Sequence, residues 1–133
     1  MEPLLKTYRA AYLYAHRAHH RTAGVTFFSD HAFFGELYPA YESAFDALME
    51  RSIGLGIEVD DAAVAASACQ GFISVLKDVD TLAFYRRLSH TETELQAQLK
   101  AAAETSSFGT QNLLQDLADH SEARQYKIKQ RLV

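Results

Sequence analysis

The chain has 133 residues, of which 48% are apolar, 11% aromatic and 23% charged, with six Gly, two Pro and a formal net charge of −4. That length suits a single domain spanning residues 1–133, and that composition is globular and helix-favouring and argues against disorder. The acidic balance argues against nucleic-acid binding, and the Lys127, Lys129 and Arg131 cluster is explained more simply by favourable charge at a helix C-terminus.

The first helix is expected from Glu2 or Leu4 to Arg21, with Pro3 tolerated in its first turn. Leu5, Tyr8, Tyr12, Ala15 and His19 recur at three- and four-residue intervals, so His19 points with the core-facing stripe. Lys6, Arg9, His16 and Arg17 interrupt the apolar core that a signal peptide needs, and no basic arm is expected ahead of the helix. Gly24 ends the helix in a turn that favours positive φ. Ser29 is the expected N-cap of the second helix, with Phe28 stapled onto Phe33 and Asp30 in the first turn. Its apolar positions are Phe34, Leu37, Tyr41, Phe45, Leu48 and Leu55. Pro39 predicts a kink over residues 35–39, eased by Gly35, and Gly54 and Gly56 terminate the helix.

Asp60 or Asp61 caps a short Ala-rich helix over residues 61–69, ending before Gly71. Cys69 within it reads as a buried, inert thiol, with a regulatory thiol as the other reading. Asp78 or Asp80 caps a long helix to Glu104 with Leu82, Tyr85, Leu88, Leu95, Leu99 and Ala102 inside. The last helix runs from Thr110 to Arg131 on Leu113, Leu114, Leu117, Ile128 and Leu132. No alternating strand, repeat or apolar run long enough to span a membrane is present, so a cytoplasmic protein is expected. Four long helices with a short one in the central connection predict an all-α, ferritin-like four-helix bundle. The Ala-rich core is thin, and such cores gain from subunit contacts.

Metal-ligand chemistry is concentrated in four residues. Asp46 and Glu50 are one helical turn apart and project from one side of the second helix. Carboxylates hold hard cations, and the imidazoles of His19 and His31 suit iron or zinc. If residues 29–55 form one helix, His31 and Glu50 lie roughly 28 Å apart along its axis. One ion holds its ligands within about 2–2.6 Å, so a centre using all four residues must lie between two subunits. Taken separately, each residue also fits a plainer role: a solvated acidic face, a half-buried histidine, a first-turn histidine. No histidine has a Glu three residues before it, which disfavours a di-iron centre inside one bundle. Cys-x-x-Cys, His-Glu-x-x-His, G-x-S-x-G and a phosphate-binding Gly loop are all missing.

The segments His19-His20-Arg21-Thr22-Ala23-Gly24, Phe27-Phe28-Ser29-Asp30-His31 and Asp46-Ala47-Leu48-Met49-Glu50-Arg51 through Leu55-Gly56 resemble the Dps family, the mini-ferritins known as DNA-binding proteins from starved cells. Gly109-Thr110 through Leu113-Leu114, with Glu122 and Tyr126, is similar to the family's last helix. The resemblance implies a hollow shell of twelve subunits. In it, His19 and His31 of one subunit face Asp46 and Glu50 of a two-fold partner. Those four residues would bind ferrous iron, oxidise it with peroxide or oxygen, and pass ferric mineral to the interior, protecting against oxidative stress. Iron is the implied metal, with zinc or another divalent ion as the other occupant.

Two departures from the family pattern bear on that expectation. Gly35 stands where the family commonly has a carboxylate, with Glu36 rotated about 100° from it. His20 replaces the family's Trp, and His16 lies one turn before it. The alternative function is therefore a structural or metal-buffering shell protein with weak or no ferroxidase activity. The acidic balance and the lack of a basic arm imply little affinity for DNA.

Overall fold

The computed structural model describes all 133 residues, as five helices and no strand. Four are long: α1 (Glu2–Arg21), α2 (Phe27–Gly54), α4 (Thr81–Ala103) and α5 (Phe108–Leu132); α3 (Asp61–Ser74) lies in the central connection. Short turns make hairpins of α1–α2 and α4–α5, and α1 packs against α3 and α4 as well. Asp30 at the start of α2 bonds Tyr85 near the start of α4, and Thr22 bonds Thr81. The starts of α2 and α4 therefore lie at the same end, and residues 55–80 return along the bundle's length. No helix is long and apolar enough to cross a membrane.

Local chemistry explains most boundaries. Asp60 caps α3 through Ala63 N–H at 2.9 Å, and Asp80 caps α4 through Ala83 N–H at 2.8 Å. Gly56, at φ +70°, ends α2: its N–H donates to Ile53 O and that of Ile57 to Ser52 O, a Schellman closure. Gly24 adopts φ +102° after α1. The connection between α3 and α4 is pinned to α1. There Tyr14 and Arg87 donate to the Asp78 carboxylate, and Arg17 donates to the carbonyls of Leu76 and Asp78. Burial alone would raise the Asp78 carboxyl, but these donors outweigh it and hold the group below the usual value.

Several expectations change. The second helix begins at Phe27 with Thr26 as N-cap, because Thr26 O already accepts Asp30 N–H. Phe28 is consequently 86% exposed and staples nothing, while Phe33 packs on Tyr85. The expectation of one helix running through Pro39 holds: α2 is continuous there. α3 continues through Gly71 to Ser74, since Val75 just beyond it packs on the core. Its inner face is Val64 and Ala68, which turns Cys69 about 100° away into solvent; the thiol is exposed, not buried. On α4, Phe84 takes the inner place expected of Leu82, which is exposed, as is Leu55 after α2. α5 starts at Phe108, capped by Ser107.

Candidate metal centre

The turn Thr22–Thr26 folds the end of α1 back on the start of α2 and so brings His19 and His31 into contact. Their rings stack with centroids 3.8 Å apart and planes 17° from parallel. His19 Nδ1 lies 2.8 Å from His31 O, and His31 Nδ1 lies 2.7 Å from His19 O. A carbonyl oxygen only accepts, so both Nδ1 atoms carry the hydrogen and donate. In the neutral rings the free lone pair is then at Nε2. A backbone carbonyl holding one ring nitrogen while the other remains available is the usual support for a metal-binding imidazole. Phe27 stacks on the outer face of His31 at 4.8 Å, and the Tyr38 ring lies 5.4 Å from that of His19. His19 is half-buried on the flank of the inner stripe of α1.

Gly35 has a structural reason of its own. A Cβ there would come 3.0 Å from His19 Cε1 and 3.2 Å from His19 Nδ1. The glycine admits the His19 ring, so the histidine latch and a side chain at residue 35 compete for one space. Easing the bend at Pro39 is not needed to account for it. Glu36 is exposed and lines a groove shared with His120 and Lys127 of α5, apart from the histidine pair.

Asp46 and Glu50 are exposed on α2, and neither forms an ion pair within the chain. Because α2 is continuous, they stand about 22 Å and 28 Å along its axis from His31. No group of three or more His, Cys, Asp or Glu side chains converges within one chain. The histidines meet one another; the carboxylates do not meet them in a single copy.

Two buried acids complete the electrostatic picture. Asp30, beside His31, accepts from Thr26 and Tyr85 hydroxyls at 2.6 Å each and from Arg131 at 3.1 and 3.2 Å. Burial would raise its carboxyl, but Arg131, Thr26 and Tyr85 more than offset this and leave it below the usual value. Glu92 is fully buried in the bundle and accepts from Tyr41, Ser121 and the Nε and Nη2 of Arg124. Burial works against Arg124's charge, yet its bonds to Glu92 prevail and it holds its proton more tightly. Tyr8 beside this pair is pushed up to about 12, chiefly by burial, and its hydroxyl has no partner. The bundle interior is thus occupied by a satisfied ion pair rather than by free ligands. Sequence reading passed over Glu92 and Arg124. The signal was available: Glu92 interrupts the inner run Leu88, Leu95, Leu99, and a charge in such a stripe needs a partner.

No family model and no curated protein matches this chain. Among solved structures it is similar to the crystal structure of Dps92 from Deinococcus radiodurans, with a TM-score of 0.78 and 18% identity over 95% of this chain and 79% of that one. The fold is that of the Dps mini-ferritins. At this identity the Dps likeness rests on helix order and packing, including the short helix in the central crossover.

Proposed function

We propose that the chain is a mini-ferritin subunit that binds ferrous iron between two-fold-related copies and oxidises it, storing ferric mineral in a closed shell, most simply a dodecamer. The carrying observation is the reciprocal His19–His31 latch, which reserves Nε2 of both rings, together with the unpaired Asp46 and Glu50 on the same unbroken helix. An ion shared by all four needs a second copy, since one copy separates the two sets by more than twenty ångströms. In that arrangement His19 and His31 supply nitrogen donors, and the partner's carboxylates supply negative charge that favours the ferric product. Each ferrous ion gives up one electron; hydrogen peroxide takes two, with two protons, and leaves as water. Dioxygen is the other acceptor.

The decisive experiment is anaerobic ferrous titration followed by oxidant addition, on wild type and on Asp46→Ala/Glu50→Ala. Binding and oxidation should fall at least tenfold in the variant with the oligomer retained; equal behaviour would remove the assigned site.

One observation favours a second reading, a shell that buffers metal with weak oxidation. With Gly35 filled by the His19 ring, the centre has one carboxylate fewer with which to hold a second ion. Retention of one metal per interface without rapid oxidation supports that reading. Fast peroxide consumption with mineral growth rejects it.

A further inference from the structure

Beyond the His19–His31 pair, α1 presents another pair of imidazoles whose geometry differs in kind. His16 and His20 are one helical turn apart, with ring centroids 4.4 Å apart and planes inclined by 52°. Neither ring is hydrogen-bonded to the rest of the chain, so both nitrogens of each are free, unlike those of His19 and His31. A zinc ion takes imidazole nitrogens at about 2.0–2.1 Å, which for two rings in tetrahedral positions puts their centroids about 5 Å apart. The observed spacing is within about 1 Å of that, and the rings are inclined, with no hydrogen bond fixing either one.

His16 is also held in place. Its ring lies 4.4 Å from that of Tyr38 on α2 and 5.7 Å from that of Tyr12. His20 is exposed and can turn toward it. Two histidines at i and i+4 form a bidentate face on a helix, as they do in zinc sites of other folds. Leu13, Phe72 and Leu76 wall one side of the adjoining groove. Arg17 in that groove is committed to the carbonyls of Asp78 and Leu76, leaving Arg21 as its cationic neighbour without such a tie.

We infer that His16 and His20 form a second metal site, separate from the His19–His31 centre, that takes Zn²⁺, Cu²⁺ or Ni²⁺ in preference to Fe²⁺. Nitrogen-only donation selects this class: for imidazoles, affinity rises from ferrous iron toward nickel and copper, and zinc also exceeds iron. No carboxylate is part of the pair to favour a harder ion. Two protein ligands leave open coordination positions, which water fills. The inference does not depend on the iron-oxidising function, because none of its ligands is assigned there.

The test is zinc binding measured in competition with a chromogenic indicator. It uses the Asp46→Ala/Glu50→Ala background, so that loss of the iron site and loss of this one are read separately. That background is compared with the same protein carrying His16→Gln, His20→Gln, or both. One zinc per chain should be lost or weakened at least tenfold, about 1.4 kcal/mol, by either single change, with the double no worse than the singles. A chelate needs both rings, whereas two independent histidines would give small, additive losses. Cu²⁺ added to the same proteins should give a two-nitrogen electron paramagnetic resonance signature that either substitution removes. Equimolar Fe²⁺ should not displace the zinc. Unchanged zinc affinity in His16→Gln/His20→Gln, additive singles, or displacement by Fe²⁺ would overturn the assignment.

Discussion

Replacing Arg131 with Met tests how the far end of the chain supports the histidine centre. Arg131 donates to both oxygens of Asp30 and to Thr26 Oγ, and its guanidinium lies 5.2 Å from the centre of the Tyr85 ring. The Asp30 side chain is 2% exposed and that of Arg131 31%. Removing one member of a fully buried pair costs about 3–5 kcal/mol. Here Tyr85 and Thr26 remain on the carboxylate and Arg131 is partly solvated, so the loss should be smaller, about 2 kcal/mol. For a chain of this size that lowers Tm by roughly 6–10 °C.

The pH dependence of that loss has a definite sign. Asp30's folded value is below its ordinary 3.8, so the stabilisation is present above that value and is lost as pH falls through the lower folded one. The difference between wild type and Arg131→Met should therefore be constant from pH 7 to about pH 5 and shrink below about pH 4. Urea denaturation at fixed protein concentration checks it, since the proposed assembly would make the midpoint concentration-dependent. A loss under about 0.5 kcal/mol at neutral pH, or one undiminished in acid, would refute the argument.

Two further outcomes follow from the interior and from the glycine. Arg124→Met strands Glu92 with two hydroxyls and should cost about 3–5 kcal/mol, much of it recovered by adding Glu92→Leu; a denaturant double-mutant cycle measures this, and additive losses would contradict it. Gly35→Ala gains about 1 kcal/mol of helix propensity but drives a methyl into the His19 ring. Net stability should stay within about 1 kcal/mol while ferrous affinity falls roughly tenfold. Anaerobic titration beside thermal melts separates the two effects, and unchanged affinity would show that the ring moves freely.

The five helices, aspartate caps at residue 60 or 61 and at 78 or 80, the glycine stop at residue 56 and the all-α bundle were legible from sequence, because periodicity and capping act within a few residues; the structure chose Asp60 and Asp80. So was the inability of one chain to unite His31 with Glu50, since helix rise alone dictates their separation. Tertiary contact decided the rest. Asp30 read only as a first-turn acid at a helix N-terminus, and the arrival of Arg131 on α5 from the other end of the chain makes it a buried ion pair. Glu92 and Arg124 became a pair only when α4 and α5 met inside the bundle. Gly35 read as relief for a bend, but its missing side chain makes room for a ring on another helix. Cys69 was misplaced because a short Ala-rich helix has a weak apolar stripe, and a rotation of one residue moves a side chain from core to water. Local rules constrain each helix's length and ends; its rotation about its own axis and the partners of its buried charges are set by what packs against it.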